Sequence, residues 1–345
     1  RDLNKIMKLT HQIILSLVIL LGAAGVEAQK EHLIEGHTMG TTYHITVITD
    51  SFKGVGGLKQ KIDARLDEIN HVFSTYMNDS EISRFNALNK AGEKFRVSDD
   101  FIEVMKVGRK LHQLSEGAWD GTVNPLVDLW GFGPTPRKTK VPAASAIKKR
   151  LQSVGFDRIQ IIEPNFILKN SARMTLDLNS IAKGFAVDQV SRLIAASGFE
   201  NYLVEIGGEV YAAGLRKDSK KWRIGINKPQ KDAAINEVYK VVSLSNKAFA
   251  TSGDYRNFFE IDRVRYSHVI DPRSGYPVTN EVVSASVLSA DCTFADGLAT
   301  ALIVMKPDKG IELVNQLEGV DCLIVVMQTD GTLIDHYSKA FQTAN

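Results

Sequence analysis

The chain has 345 residues, 44% of them hydrophobic and 24% charged, so it can bury one large core or two modest ones. Its formal net charge of +2 is too small to favour nucleic acid or another polyanion as a partner. The sequence contains no low-complexity tract and no repeat of fixed period, which argues against a repeat architecture.

The N-terminal segment 1–28 has the order of a secretory signal peptide. Lys8 precedes an apolar run over 13–21, and small residues follow that run up to Ala28. The run is too short to span a bilayer comfortably, so we expect cleavage near Ala28 and an exported, periplasmic and soluble chain over 29–345. Residues before Met7 resemble upstream translated sequence, and no cysteine lies near the cleavage point to support a lipid anchor.

Three segments after the expected cleavage point have clear periodicity. Residues 37–49 alternate between apolar and polar and predict a strand beside Met39-Gly40-Thr41. Residues 58–73 have apolar residues at helical spacing, and Ser98 is a suitable cap for a second helix over 101–114.

The middle of the chain is irregular. Residues 117–133, GAWDGTVNPLVDLWGFG, mix glycines, a proline and two tryptophans, and predict a loop that faces a ligand. Within it, Trp130 and Phe132 favour the core over a ligand contact. Residues 134–142 are basic and proline-rich, and they predict an exposed connector before a helix over 144–154.

The segment 174–197, MTLDLNSIAKGFAVDQVSRLIAAS, predicts a short strand that ends at Leu178 and a helix capped by Asn179 or Ser180. The start of a helix offers unpaired N–H groups, and Lys183 adds a full charge in the first turn, which suits a diphosphate. The spacing of a Walker loop is absent. A surface lysine in an ordinary capped helix is the alternative.

Several strands are predicted in the second half of the chain. Residues 202–213 give two strand pieces broken by Gly207-Gly208, a pair that indicates either a structural bend or the close approach of another group. The remaining strands are predicted over 222–229, 237–244, 322–327 and 331–336.

The segment 263–270 alternates and predicts a strand that carries His268 near its end. The following Asp-Pro-Arg-Ser-Gly run predicts a turn, and we expect the chain to return as a hairpin over 282–288. His268 is therefore placed where a rigid scaffold can present it to a ligand, although a buried core histidine remains the alternative.

Residues 291–305 predict a helix capped by Asp291 or Thr293. Asp296 and Thr300 are four residues apart, so their oxygens lie on one face of that helix. A carboxylate and a hydroxyl in this arrangement suit Mg²⁺, although the pattern alone is weak evidence.

The two cysteines, Cys292 and Cys322, lack the spacing of metal ligands. They can be ordinary buried thiols or can pair in a compartment that permits disulfides.

At least five blocks of the sequence resemble, in the same order, the ApbE family of FAD:protein FMN transferases from bacterial envelopes. The blocks include FSTYMNDSEISRFN, MTLDLNSIAKGFAVDQ, SGDYR, SHVIDPRSG and ADCTFADGLATAL. The resemblance covers nearly all of the chain after residue 28, and its motifs lie on both sides of 134–142. It therefore implies one assembled body.

The resemblance also implies roles for particular residues. The residues expected to contact FAD are Met39, Tyr76, Ala118, Trp119, Asp120, Asp177, Lys183 and Ile270. Those expected to bind Mg²⁺ are Asp296, Thr300 and Ser180, the last through its backbone carbonyl, and His268 is the expected general base. Tyr76 can instead be a packing residue at a helix end.

The sequence departs from the family pattern at two places. Trp119 stands where the family usually has phenylalanine, which leaves the detailed shape of the pocket open. Asn179-Ser180 replaces a pair of small residues, a change that a carbonyl ligand tolerates.

The activity implied by the resemblance is Mg²⁺-dependent transfer of FMN from FAD to a threonine or serine hydroxyl of an acceptor protein, with release of AMP. The usual acceptors are membrane redox subunits and FMN-carrying domains. Two alternatives use the same residues: an FAD pyrophosphatase that forms FMN and AMP, and an envelope flavin-binding protein without enzymatic activity. The expected fold is α+β, a single two-lobed body of antiparallel-rich mixed sheets and packed helices with the flavin in a cleft. No Rossmann fingerprint supports a doubly wound alternative.

Overall fold

A computed structural model describes residues 29–50, 52–133, 141–230, 233–234, 237–253, 258–261, 264–341 and 343. In chain order its strands are β1 (Lys30–Thr38), β2 (Thr41–Thr49), β3 (Phe95–Arg96), β4 (Ile159–Ile162), β5 (Phe166–Lys169), β6 (Asn201–Ile206), β7 (Glu209–Ala213), β8 (Trp222–Asn227), β9 (Val238–Leu244), β10 (Lys247–Gly253), β11 (Phe258–Ile261), β12 (Val264–Ser267), β13 (Val282–Ser289), β14 (Asp321–Met327) and β15 (Leu333–Tyr337). Its α-helices are α1 (Leu58–Phe73), α2 (Glu81–Asn86), α3 (Asp99–Leu114), α4 (Asn124–Trp130), α5 (Ala144–Leu151), α6 (Asn179–Ala196), α7 (Cys292–Val304) and α8 (Pro307–Val314).

An antiparallel sheet of eight strands forms the centre of the part of the chain that the structure describes. Its order is β1-β2-β6-β7-β10-β13-β14-β15, and every neighbouring pair is antiparallel. Helices α1, α3, α6 and α7 pack on one face of this sheet, and the two-stranded sheet β8–β9 packs on the other. Because both faces are covered, every residue of β13 is buried and the strand does not alternate with solvent.

Local sequence features account for helices α1 and α3. Helix α1 buries Leu58, Ile62 and Leu66, which recur every four residues along one face. Helix α3 begins where the Ser98 hydroxyl accepts a hydrogen bond from the backbone N–H of Phe101. Both helices match their predicted positions.

A smaller cluster of buried residues lies outside the main core. Leu126 and Trp130 of α4 pack with Ile147 of α5 and with Ile270. This cluster supports one wall of the cavity described below. The mixed helices and antiparallel sheets confirm the predicted α+β fold.

Three predictions about loops and strands are wrong. Residues 117–133 are not one loop, because 124–130 form α4 with Pro125 in its first turn. Residues 174–178 are not a strand. The segment carrying His268 does not pair with 282–288, because β12 pairs with β11 whereas β13 pairs with β10 and β14.

Other predictions are refined or stay open. Strand β1 precedes β2 and was missed, and Gly207-Gly208 is the turn between β6 and β7 with φ values of 61° and 104°. Both cysteines are buried free thiols. Within the described residues, no helix combines the length and apolar character needed to cross a membrane. The predicted signal peptide over 1–28 and most of the connector over 134–142 lie outside the described residues, so the domain boundary at residue 29 stays a prediction.

Candidate active site

Ten of the twelve residues predicted for the site line one cavity of about 500 Å³. This volume falls within the range of about 300–1,000 Å³ that is typical of small-molecule sites. The ten residues are Ala118, Trp119, Asp120, Asp177, Ser180, Lys183, His268, Ile270, Asp296 and Thr300. The cavity therefore gathers side chains from segments that are far apart in the sequence.

The start of α6 forms one side of the cavity. Leu178 occupies the cap position without a side-chain hydrogen bond, so the prediction of Asn179 or Ser180 as cap is wrong. A carboxylate oxygen of Asp177 instead accepts from the backbone N–H of Asn179 at 2.9 Å. Burial raises the pKa of the Asp177 carboxyl, and this hydrogen bond opposes the shift.

Trp119 and Asp120 line the cavity, and both side chains are fixed by hydrogen bonds to the protein. The indole Nε1 of Trp119 donates to the Ser180 hydroxyl at 3.0 Å, and only 1% of Trp119 is exposed. The carboxylate of Asp120 accepts from the backbone N–H groups of Thr122 at 2.7 Å and Phe156 at 2.9 Å. One oxygen of Asp120 therefore closes its own turn and the other ties that turn to the segment at Phe156, even though the residue lines the cavity.

Helix α7 packs on α6 and lines the cavity next to it. The Asp291 side chain caps it by accepting from the backbone N–H of Phe294 at 2.8 Å, which decides between the two predicted caps. Asp296 Oδ2 accepts from the backbone N–H of Gly184 at 3.0 Å, and the Thr300 hydroxyl lies 3.1 Å from that of Ser252. Helix α6 can approach α7 this closely because Gly184 has no side chain. A Cβ at this position would overlap the carbonyl of Cys292.

Lys183 lies between two buried carboxylates. Its Nζ is 2.7 Å from Glu209 Oε1 and 3.9 Å from Asp296 Oδ1. Burial works to lower the pKa of Lys183, but the carboxylates of Asp296 and Glu209 outweigh burial and raise it. Burial, and then the charge of Asp296, work to raise the pKa of Glu209, whereas the close contact with Lys183 works to lower it.

Sequence reasoning missed Glu209. It is 3% exposed and lines the cavity, and its Oε2 has no hydrogen-bond partner in the part of the chain that the structure describes. An acid directly after Gly207-Gly208, at the start of an apolar strand piece, was the signal available in the sequence.

The predicted cation ligands fit a hard divalent ion by their chemistry. When ionised, Asp296, Glu209 and Lys183 together carry one net negative charge, which a cation would offset. Asp296 Oδ1 is beyond hydrogen-bond distance of Lys183 Nζ, so it is available to a ligand. The described residues contain no group of three or more His, Cys, Asp or Glu able to hold a metal, so an ion here would depend on mixed oxygen ligands.

His268 follows the last residue of β12 and is partly buried. The strand is shorter than predicted, and the chain continues to Ile270, which forms an isolated bridge with Pro277. The imidazole lies against Phe132, with 6.3 Å between the ring centroids. Since His268 and Asp296 line the same cavity, a ligand there can contact both.

Met39 and Tyr76 are the two predicted residues that do not line the cavity. Met39 has a φ of 50° in the turn between β1 and β2, and it packs against the main core. Tyr76 is 85% exposed. Their roles in flavin binding stay predictions.

Comparisons with known proteins show the family to which the chain belongs. The ApbE family profile matches residues 39–324. A Vibrio cholerae protein named FAD:protein FMN transferase is 42% identical over 335 residues, covering 96% of this chain and 97% of that protein. A Haemophilus influenzae protein of the same name is 38% identical and covers 97% of each chain.

Two solved structures have the same architecture. The flavin transferase ApbE from Vibrio cholerae superposes with a TM-score of 0.82 at 41% identity, over 91% of this chain and 98% of that one. The apo form of the Pseudomonas stutzeri flavinyl transferase ApbE gives a TM-score of 0.81 at 38% identity, over 91% of this chain and 96% of that one.

Proposed function

This chain belongs to the ApbE family, and from that premise we infer that it is an FAD:protein FMN transferase. It moves FMN from FAD to a threonine or serine hydroxyl of an acceptor protein and releases AMP. The observation that carries this proposal is the single cavity shared by His268, Lys183, Asp296 and Thr300.

The reaction exchanges one phosphorus–oxygen bond for another. The acceptor hydroxyl oxygen attacks the phosphorus nearest the riboflavin, and the bond from that phosphorus to the bridging oxygen breaks. AMP leaves with the bridging oxygen, and the hydroxyl proton passes to the imidazole of His268. Lys183 supplies positive charge beside the diphosphate.

A magnesium ion held by Asp296, Thr300 and the Ser180 carbonyl would offset the charge of the diphosphate oxygens. The three protein oxygens that would bind the ion belong to α6 and α7, two helices that pack directly on each other. Ala118, Trp119, Asp120, Asp177 and Ile270 would bind the dinucleotide within the cavity, while Met39 and Tyr76 would contact the flavin from outside it.

The setting of the reaction belongs to the same proposal. The expected signal peptide over 1–28 supports export and action in the periplasm. The acceptor would be a membrane redox subunit or an FMN-carrying domain.

Replacing His268 by alanine tests the base. The His268→Ala protein should bind FAD with nearly unchanged affinity, measured by quenching of flavin fluorescence, and should fail to label a threonine-containing acceptor peptide in a mass spectrum. Labelling at the wild-type rate at neutral pH would remove His268 from the mechanism.

Replacing Asp296 by alanine tests the cation site. The variant should lose transferase activity and also the rise in melting temperature that Mg²⁺ gives the wild type in the presence of FAD. Turnover by the wild type that persists unchanged with EDTA would contradict the cation assignment.

FAD pyrophosphatase activity and simple flavin storage are the rival functions. Incubation with FAD, Mg²⁺ and an acceptor peptide distinguishes them. A transferase gives labelled peptide and AMP, a pyrophosphatase gives free FMN and AMP, and a storage protein releases no AMP.

A further inference from the structure

The stem of Lys183 passes close to the turn between β6 and β7. A Cβ built on Gly207 would lie 3.3 Å from Lys183 Cδ and 2.8 Å from Thr41 Cγ2. Gly207 also has a φ of 61°, a conformation that other residues rarely adopt. Glycine at this position therefore makes room for the lysine side chain.

Glu209 holds the other end of the same side chain. Its Oε1 lies 2.7 Å from Lys183 Nζ, and the carboxylate is 4% exposed against 29% for the lysine side chain. A buried ion pair at this distance fixes the ammonium group in one position, because leaving either charge unpaired would be costly.

The strand pairing makes this holder rigid. Ile206 and Glu209 are opposite each other in the β6–β7 hairpin, so Glu209 begins its strand immediately after the two-residue turn. Strand β7 is inside the central sheet, with β10 on its other side. The carboxylate therefore has a fixed place relative to α6, which carries Lys183.

We propose that the Gly207-Gly208-Glu209 turn positions Lys183 for the diphosphate of FAD, with Glu209 as the positioning residue. This inference rests on the proposed function. It explains both the glycine pair and the buried acid, neither of which contacts the predicted cation ligands through a hydrogen bond among the described residues. Oε2 of Glu209 is buried and has no hydrogen-bond partner among those residues, so Lys183 is the only charged group that this carboxylate contacts there.

The test compares ligands with and without a diphosphate. Glu209→Gln keeps the shape of the side chain but removes the charge that holds Lys183. We expect its dissociation constants for FAD and ADP, measured in EDTA, to rise about tenfold, the cost of a misplaced charge-assisted contact. Riboflavin, which has no phosphate, should bind as tightly as it does to the wild type.

A double-mutant cycle with Lys183→Met separates positioning from a general structural role. If Glu209 acts through Lys183, adding Glu209→Gln to Lys183→Met should change ADP binding little further. Glu209→Asp should restore part of the loss. Glu237→Gln is the matched control, because Glu237 also pairs with a lysine, Lys228, at 2.8 Å but does not line the cavity.

Three binding results would each overturn the proposal: unchanged ADP binding in Glu209→Gln, equal loss of riboflavin binding, or additive effects of the two substitutions. A change only in the Mg²⁺ concentration needed for activity would also contradict it, because Glu209 would then act on the cation. Failure of the transferase assignment is a different result, since the wild type itself would then form no labelled acceptor.

Discussion

Trp119 fills a space that a glycine leaves open on the neighbouring helix. A Cβ at Gly108 of α3 would lie 2.7 Å from the outer ring of Trp119 and 3.0 Å from Phe156. The Trp119 and Phe156 rings meet edge to face with centroids 5.2 Å apart. The larger aromatic residue at position 119 is thus matched by the absence of a side chain at position 108.

This match predicts an unusual response to Gly108→Ala. In a helix, alanine is ordinarily more stable than glycine by about 1 kcal/mol. Here we expect Gly108→Ala to lower the free energy of unfolding by about 1–3 kcal/mol, because the new methyl group overpacks the core against Trp119.

The double variant with Trp119→Phe provides the control, since phenylalanine lacks the outer ring atoms. Urea unfolding of the two single variants and the double variant should show that Gly108→Ala costs less when Trp119 is absent. Equal costs in the two backgrounds would mean that the contact does not limit position 108.

Single residues also show the limit of sequence reasoning. Asp120 and Glu209 are both acids beside glycines, and nothing in their local sequence says which one faces a charged partner. The fold decides, because the backbone N–H groups of Thr122 and Phe156 use both oxygens of Asp120, whereas Lys183 reaches Glu209 from a distant helix. Only three-dimensional contacts show that backbone donors hold Asp120 whereas a lysine side chain holds Glu209.

The buried carboxylate of Asp188 joins helix α6 to the first turn of α7. Asp188 accepts from the backbone N–H groups of Cys292 and Thr293, each at 2.8 Å, and from the Thr293 hydroxyl at 2.6 Å. These donors belong to the first turn of α7, where helical N–H groups have no partner within the helix. Asp188 therefore holds the start of the helix that carries Asp296 and Thr300.

We expect Asp188→Ala to lower the free energy of unfolding by about 3 kcal/mol or more, because it leaves buried donors without an acceptor. Transferase activity should fall as well, since α7 loses its anchor on α6. Urea unfolding and an FAD labelling assay measure the two effects. Asp291→Ala, which removes only the local cap of α7, should cost about 1 kcal/mol, and a larger loss than that of Asp188→Ala would contradict this ranking.

The carboxyl group of Asp188 also makes the free energy of unfolding depend on pH. Burial raises the pKa of Asp188 to about 6, from an ordinary value of 3.8, against the opposing hydrogen bonds from Thr293 and Cys292. Between about pH 4 and 6 the unfolded chain has released this proton while the folded protein retains it, so the free energy of unfolding falls as pH rises through that window. In Asp188→Asn this contribution is absent.

Urea unfolding at several pH values from about 4 to 6 checks the sign for Asp188. The wild type should lose more stability across the window than Asp188→Asn, while the other carboxyl groups contribute equally to both proteins. Parallel curves for the two proteins would show that Asp188 titrates alike in the folded and unfolded chains.

Elements with strong local signals were predictable, whereas their partners were not. The apolar spacing of α1 and the Ser98 and Asp291 caps specify helices within a few neighbouring residues. The partner of β12 is set by β11, which lies directly before it in the chain, so the expected pairing with β13 was wrong. Helix α4 was not predicted because it has only seven residues, too few to show a helical period among the glycines and tryptophans of this segment.

At the scale of the whole molecule, the resemblance to the family predicted the residues of the site, which the periodicity of the sequence could not. It brought together ten residues that line one cavity, although strands and helices from most of the chain separate them. Composition and periodicity predict the elements but not the crossovers of the central sheet, where β2 pairs with β6 and β7 pairs with β10. The site therefore depends on topology that local signals do not contain.

The main core also joins segments on both sides of 134–142. The ring of Phe73 lies 5.7 Å from that of Phe101 and 5.6 Å from that of Phe185, measured between centroids, so α1, α3 and α6 share one aromatic cluster. Since α6 also lines the cavity through Ser180 and Lys183, we expect calorimetry to give a single unfolding transition that includes the site.

FAD should shift that whole transition upward, because it binds the folded protein alone. At a hundred times its dissociation constant, FAD stabilises the folded state by about 2.7 kcal/mol. His268→Ala should show the same shift, since it retains binding, while Lys183→Met at the same FAD concentration should show a smaller one. Two separate transitions, with only one of them moving in response to FAD, would mean that the segments before and after 134–142 unfold independently and that the site belongs to one of them.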